Sequence, residues 1–210
     1  REAGVNPSAL SLRRALLAFL AALCASCGDA PKLAPLAPDA VLLAFGDSIT
    51  YGTGASESES YPAQLEGLIG RTVVRAGVPG EVSAQALARL PAVLEEHRPQ
   101  LLILCIGGND FLRNLGKAQV EANVRRMIAL ARERGAGVVL IGTPEKGLLV
   151  TPPGFYADLA GQFRIPYEGG VIGEILRNAE LKSDPIHPNA RGYRLIAERV
   201  AALLKKSGAL

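Results

Sequence analysis

Short, continuous apolar runs recur along the chain from residue 41 onwards. They cover residues 41–45, 72–76, 101–106 and 138–141, and glycine or small polar residues follow each of them. An apolar run of this length, bounded by turn residues, is typical of a strand that is buried on both faces of a sheet. Residues 165–167 are a candidate for a short fifth strand.

The stretches between these runs carry apolar residues at helical spacing. Within residues 117–134 one apolar stripe predicts an amphipathic helix, formed by Val120, Val124, Met127, Ile128 and Ala131. Three further helices are predicted: one that begins at Ser60 or Tyr61, one that Ser83 caps and Pro91 kinks or restarts, and a last one over about residues 189–205.

Strands that alternate with amphipathic helices predict the α/β class, with a parallel sheet covered by helices on both faces. The carboxyl ends of parallel strands gather at one edge of the sheet, and ligands bind at that edge in such folds. Residues that follow the strands are therefore the first candidates for a functional site. They include Ser48, Gly80 and Asn109.

The first 27 residues have the features of an export signal. Arg13-Arg14 precedes an apolar stretch that falls short of the ~20 residues needed to span a membrane. Ala25-Ser26-Cys27 resembles the end of a bacterial lipoprotein signal, in which the cysteine is lipidated; plain secretion and an uncleaved anchor are the alternatives. We expect a signal peptide over residues 1–27, a Pro/Ala-rich linker over 28–38, and a folded domain over 39–210 that is exported to the periplasm or anchored to the membrane.

Composition narrows the classes of function. Apolar residues make up 49% of the 210 residues and charged residues 20%, which suits a folded domain and excludes a disordered chain. The net charge is only +3 and no basic stripe is visible, so a nucleic-acid partner is not expected. Cys24 and Cys27 form a C-x-x-C pair, but the pair lies in the export segment and has no second pair, which argues against redox or metal chemistry.

A serine, a histidine and an aspartate can be assembled into one catalytic unit. Ser48 follows the first strand, and a serine hydroxyl needs a base, usually histidine, to remove its proton. Only two histidines are present: His97 lies in a charged helix end and is expected at the surface, so His187 is the better base. Asp184 precedes His187 by three residues and could fix the tautomer of the imidazole from within the same turn.

Residues after the second and third strands supply candidate donors for an oxyanion hole. Gly80 has no side chain, so its backbone N–H can approach a substrate oxygen. The Asn109 amide follows two glycines and can donate to a developing oxyanion, which is worth about 3 kcal/mol in a transition state. The N–H of Ser48 is the third expected donor. Asp110 is interpreted as a structural residue, in a loop or as a helix cap.

Taken in order, these blocks resemble the GDSL esterases, also called SGNH hydrolases. The blocks are Gly46-Asp47-Ser48, Gly80, Gly107-Gly108-Asn109-Asp110 and Asp184 to Pro188, and the resemblance covers roughly residues 40–205. Within that family, residues 88–91 and 102–110 resemble the arylesterase, acyl-CoA thioesterase and lysophospholipase branch. The resemblance implies a flavodoxin-like three-layer α/β/α sandwich, a small-molecule ester or lipid substrate, no metal and no organic cofactor.

The expected activity is hydrolysis of carboxylic esters or thioesters through an acyl-enzyme on Ser48. A carbohydrate O-acetyl esterase of the same fold and an envelope lipoprotein with an inert site are the alternatives. The Pro-rich region 142–153 follows the fourth strand, on the expected side of the site. We hypothesise that Leu148, Leu149 and Val150 contact the acyl group; ordinary loop packing is the alternative.

Overall fold

A five-stranded parallel sheet forms the centre of the protein. The computed structural model describes residues 31–145 and 150–210, which belong to one compact unit. Its strands are β1 (Val41–Gly46), β2 (Thr72–Gly77), β3 (Leu101–Cys105), β4 (Gly137–Ile141) and β5 (Tyr167–Glu168). They pair in the order β2-β1-β3-β4-β5, and each pair is parallel. The four apolar runs are therefore confirmed as strands, and the fifth strand begins two residues later than predicted.

Helices cover both faces of this sheet. They are α1 (Ser48–Tyr51), α2 (Tyr61–Ile69), α3 (Ser83–His97), α4 (Gly108–Leu112), α5 (Lys117–Glu133), α6 (Phe155–Phe163), α7 (Val171–Arg177) and α8 (Ala190–Lys206). One hydrophobic core lies under α2, α7 and α8, and a second lies under α3, α5 and α6. The predicted three-layer α/β/α arrangement is thus confirmed.

The residues of β1 show how the two cores are filled. Leu42 and Ala44 belong to the core under α8, whereas Leu43 and Phe45 belong to the core under α3. All four side chains are completely buried, so β1 needs an apolar residue at every position and appears as a continuous apolar run. The strand order is the flavodoxin-like one, in which the crevice between β1 and β3 is the usual ligand site.

The helix predicted to begin at Ser83 is α3, and it differs from expectation at its amino-terminal cap. α3 continues through Pro91 to His97 as one helix, without a restart. Ser83 is not its cap, because Val82 occupies the N-cap position. The Ser83 hydroxyl instead donates a hydrogen bond of 2.7 Å to Asp110 on α4, 27 residues further along the chain. That contact depends on tertiary packing, which no local capping rule anticipates.

The chain enters the unit on the side opposite to the carboxyl ends of the strands. The N–H of Leu33 donates to the Ser207 carbonyl (3.0 Å), and the N–H of Leu36 donates to the Ala209 carbonyl (2.9 Å). Residues 33–38, which the sequence suggests are part of a linker, therefore lie against the folded unit.

Ala37 fixes this entry segment to the amino ends of two strands. Its N–H donates to the Gln100 side chain (3.1 Å) just before β3, and its carbonyl accepts from the Arg71 guanidinium (2.8 Å) just before β2. Within residues 31–145 and 150–210, no helix has the length and apolar character required to cross a membrane. The expected signal and Cys27 lie outside the described residues.

Candidate active site

Ser48 is the first residue of α1, one residue beyond the end of β1, and it borders a cleft at the carboxyl edge of the sheet. Asp47 is the N-cap of this short helix, and its carboxylate accepts a hydrogen bond of 3.1 Å from the N–H of Ile49. Gly46 lies so close to β3 that a Cβ atom there would overlap the Cys105 carbonyl oxygen. Only glycine permits this approach, which brings the start of α1 beside the end of β3.

The Ser48 hydroxyl lies at one end of a continuous hydrogen-bond relay. Its Oγ is 3.0 Å from His187 Nε2, although the two residues are 139 positions apart in the sequence. His187 Nδ1 is 2.7 Å from Asp184 Oδ2. The geometry therefore brings together the three residues that the sequence suggests, and a base oriented in this way can take the proton of a serine hydroxyl.

Asp184 is held in place by the backbone of its own turn. Its Oδ1 accepts hydrogen bonds from the N–H groups of Ile186 and His187, both 2.8 Å long. Although partial burial acts to raise the pKa of Asp184, the hydrogen bonds from His187 and from the two N–H groups outweigh it and lower that pKa below its ordinary value. The carboxylate is therefore ionised at neutral pH and can stabilise an imidazolium.

Backbone contacts also hold together the two ends of the turn that carries His187. The N–H of Ser183 donates to the His187 carbonyl (2.9 Å), and Lys182 pairs with Pro188 in an antiparallel bridge. The His187 side chain is only 15% exposed, compared with 43% for Asp184. The imidazole consequently sits at the wall of the cleft, while its partner carboxylate faces partly into solvent.

Three groups could donate to an oxygen bound next to Ser48. Among the described residues, the backbone N–H groups of Ser48 and Gly80 have no hydrogen-bond acceptor. Gly80 adopts a positive φ of 78°, which favours glycine at this turn after β2. The Asn109 side chain lies at the cleft and donates one hydrogen bond from Nδ2 to the Glu81 carbonyl (3.0 Å), so its second amide hydrogen remains to be donated.

Asp110 is a structural residue, as the sequence suggests. Its carboxylate accepts hydrogen bonds from the Ser83 backbone N–H (2.8 Å) and from the Ser83 hydroxyl (2.7 Å). The hydroxyl in turn accepts from the Asn123 amide on α5 (2.8 Å). This buried network ties α4, and therefore the neighbouring Asn109, to two long helices.

The Asp47 carboxyl group, next to Ser48, has a strongly raised pKa. Burial raises its pKa to about 7, the hydrogen bond from Ile49 acts against that rise, and the nearby negative groups of Asp110 and Glu81 add to it. The side chain is 2% exposed. A proton on this carboxyl group is therefore gained or lost near neutral pH.

The cleft itself has mostly apolar walls that the sequence does not indicate. Apart from the relay, its apolar lining residues are Ile49, Leu112, Pro144, Ile172, Leu176 and Ile186. Two of them lie on α7, for which the sequence predicts no helix, and Ile186 lies between Asp184 and His187. The sequence around these positions shows no regular hydrophobic period, so only the folded structure shows that they line the same cleft.

The remaining predicted residues lie elsewhere or outside the described part. His97 is at the end of α3, 3.8 Å from the Glu96 carboxylate, in agreement with a surface position. Leu148 and Leu149 lie outside the described residues. Val150 is partly buried, and its carbonyl accepts a hydrogen bond of 3.2 Å from Arg177 on α7. Within the described ranges, no group of three His, Cys, Asp or Glu side chains is arranged to hold a metal ion.

A flavodoxin-like sheet with a Ser–His–Asp relay at its carboxyl edge has the architecture of an ester hydrolase, and comparison with known proteins agrees. The GDSL-like lipase/acylhydrolase family model matches residues 44–195. Esterase TesA of Pseudomonas aeruginosa is 33% identical over 187 residues, covering 78% of this chain and 87% of the relative. Thioesterase 1/protease 1/lysophospholipase L1 of Escherichia coli is 33% identical over 172 residues, covering 78% of this chain and 83% of the relative.

A solved structure supports the same fold. The psychrotrophic esterase EstA from a Pseudoalteromonas species superimposes with a TM-score of 0.71 at 21% identity, covering 80% of this chain and 98% of that one. The chain belongs to the GDSL-like lipase/acylhydrolase family. It is a hydrolase that acts on ester bonds.

Proposed function

We propose that Ser48 is the nucleophile of this hydrolase, His187 its general base and Asp184 the group that orients the base. The observation that carries the proposal is the unbroken relay from Ser48 Oγ to His187 (3.0 Å) and on to Asp184 (2.7 Å). An unassisted serine hydroxyl is a poor nucleophile near neutral pH, and a base within hydrogen-bond reach removes that obstacle.

The reaction proceeds in two acyl-transfer steps. His187 takes the Ser48 proton while Oγ attacks the carbonyl carbon of an ester or thioester, and the backbone N–H groups of Ser48 and Gly80, with the Asn109 amide, bind the resulting oxyanion. His187 then gives its proton to the leaving alcohol or thiol, so that an acyl-enzyme remains on Ser48. Water, activated by the same imidazole, releases the acid and restores the hydroxyl.

The lining of the cleft supports the proposed substrate class. Its apolar side chains, among them Leu112, Ile172 and Leu176, suit an acyl chain rather than a polar group. The names of the relatives point in the same direction, since they include a thioesterase and a lysophospholipase. We therefore assign acyl esters and thioesters, including lipid-derived ones, as the substrates.

The first experiment is hydrolysis of a p-nitrophenyl ester series from acetate to palmitate. The Ser48→Ala variant should lose at least about 10⁴-fold in kcat, whereas Ser58→Ala, which changes an exposed serine of a 3-10 helix, should keep full activity. Undiminished turnover in Ser48→Ala would refute the proposed nucleophile, whereas no turnover by the unaltered protein on any chain length would favour an inert site or a specialised carbohydrate substrate. Deacetylation of acetylated polysaccharide without action on longer acyl chains would instead favour a carbohydrate O-acetyl esterase.

The segment before α6 is proposed to contribute to the acyl site. Leu148, Leu149 and Val150 join β4 to α6, and the Val150 carbonyl accepts from Arg177 on α7, the helix that carries Ile172 and Leu176. Replacing all three by serine should flatten the preference among acyl chain lengths. An unchanged chain-length profile would show that these residues only pack within their own loop.

Export and lipidation are proposed for the amino-terminal segment. Arg13-Arg14, the apolar stretch and Ala25-Ser26-Cys27 support this assignment. In a bacterial host supplied with labelled palmitate, the full chain should incorporate label and Cys27→Ser should not. Cys24→Ser is the matched control and should keep the label; label that persists in Cys27→Ser would refute lipidation at Cys27.

A further inference from the structure

The guanidinium of Arg89 occupies the space where β1, β2 and the loop after β2 meet. Its Nε and Nη2 donate to the two carboxylate oxygens of Glu81, at 2.9 and 2.7 Å. Nη2 is also within hydrogen-bond distance of the carbonyls of Ala76 (3.2 Å) and Gly46 (3.4 Å). The central carbon of the guanidinium lies over the Phe45 ring, 4.0 Å from the ring centre.

Two of the polar partners of this guanidinium lie close in the sequence to proposed oxyanion donors. Gly46 is two residues before Ser48, whose N–H is the first donor, and Glu81 directly follows Gly80, whose N–H is the second. The Glu81 carbonyl accepts the hydrogen bond that orients the Asn109 amide, the third donor. The Arg89 side chain on α3 thus contacts the ends of β1 and β2 directly. It also binds Glu81, the residue whose backbone carbonyl orients the third donor.

The pair is too enclosed to be an ordinary surface ion pair. Glu81 is only 7% exposed and Arg89 25% exposed. The contact is bidentate, a geometry that a lysine ammonium cannot reproduce because it is a point charge without a planar fork. Arg89 is not among the residues that line the cleft in the described part of the chain.

From these contacts we propose that Arg89 is a positioning residue for the oxyanion hole. By holding the ends of β1 and β2 and the Glu81 side chain together, it sets the separation of the Ser48, Gly80 and Asn109 donors. Such donors stabilise a transition state only when they lie about 2.7–3.1 Å from the oxyanion, so a small displacement reduces their effect. The inference rests on the proposed function of the same site.

The test compares Arg89→Lys with Arg71→Lys in the full chain. Arg71 is the matched control, because it also donates to backbone carbonyls of two segments, Ala37 (2.8 Å) and Ile69 (3.1 Å), but at the opposite edge of the sheet. Both variants keep the charge and lose a guanidinium. We expect Arg89→Lys to lower kcat about 10- to 100-fold on a p-nitrophenyl ester with little change in KM, somewhat less than deletion of a whole donor. Arg71→Lys should change neither value.

Thermal unfolding of both variants separates positioning from simple support of the fold. Equal kcat in Arg89→Lys and wild type, or equal losses of kcat in both variants, would overturn the inference. If Arg89→Lys does not fold, Glu81→Gln provides the same comparison: it keeps the carbonyl that binds Asn109 and should still lower kcat about tenfold. A wild-type kcat for Glu81→Gln would then overturn it.

Failure of this inference is distinguishable from failure of the proposed function. If Ser48→Ala keeps its turnover, the proposed site is wrong and the positioning role falls with it. If Ser48→Ala is inactive and Arg89→Lys is fully active, only the role of Arg89 is refuted.

Discussion

Asp184→Asn offers a sharp test of the relay, because the structure determines which way the new amide must face. In the native turn, Oδ1 accepts two backbone N–H groups, from Ile186 and His187 (2.8 Å each), and Oδ2 faces His187 Nδ1 (2.7 Å). An amide has a single oxygen acceptor, so it should stay with the two N–H donors. The NH₂ group then faces His187 Nδ1 and forces that nitrogen to be unprotonated.

The consequence is that His187 adopts the wrong tautomer for catalysis. The imidazole proton must then reside on Nε2, which faces Ser48 Oγ, and such an imidazole cannot accept the serine proton. Loss of the correct tautomer lowers kcat by about 10⁴-fold in a Ser–His–Asp triad, which corresponds to about 5 kcal/mol in the activation free energy. The fold should be preserved, since both backbone hydrogen bonds keep an acceptor.

The assay is steady-state hydrolysis of a p-nitrophenyl ester at pH 7.5, with thermal unfolding measured in parallel. Asp158→Asn is the control, because Asp158 is an exposed carboxylate in the first turn of α6 and the exchange is chemically the same. It should leave kcat unchanged. A loss of less than about tenfold for Asp184→Asn would refute the reasoning, because it would mean that Asp184 does not select the tautomer of His187.

Two further predictions concern Asp47 and Asn109. Because burial raises the pKa of Asp47 to about 7, the folded state holds its proton more tightly than the unfolded state, and the resulting stability is lost as the pH rises from about 4 through 7. Asp47→Asn keeps an acceptor for the Ile49 N–H but has no proton to lose. Its free energy of unfolding should therefore exceed that of the wild type by up to about 4 kcal/mol at pH 8 and match it near pH 4. Urea denaturation that gives the same difference at both pH values would contradict this. Asn109→Ala should lower kcat about 10²- to 10³-fold at nearly constant KM, and a change confined to KM would argue against an oxyanion donor.

The sequence predicts the sheet and the relay well, for physical reasons that are local. Residues 41–45 must be apolar throughout because both faces of β1 are buried, so the run is visible without any knowledge of its neighbours. Asp184 and His187 lie within one turn, and their contact requires only that turn to form. Ser48 follows the end of a buried strand, and it becomes a candidate nucleophile once His187 and Asp184 supply a matching base and its partner.

What the sequence does not predict depends on contacts between distant segments. The Ser83 hydroxyl donates to the Asp110 carboxylate instead of capping its own helix, and this hydrogen bond exists only once α3 and α4 are packed together. Ile172 and Leu176 lie on a helix of seven residues, too short for a helical period to emerge from its sequence. The bidentate contact of Arg89 with Glu81 cannot be read from the sequence either, because the two residues are eight positions apart and nothing in that spacing specifies the geometry.

The entry of the chain into the folded unit bears on how the enzyme can be handled. Leu33 is hydrogen-bonded to Ser207 and Leu36 to Ala209, so the two ends of the described unit lie side by side. Ala37 is fixed at the amino ends of the strands, whereas Ser48 lies at their carboxyl edge. A tether, a resin or a fused reporter joined at either end therefore attaches to the side of the domain away from the cleft, which leaves the mouth of the cleft open to substrate.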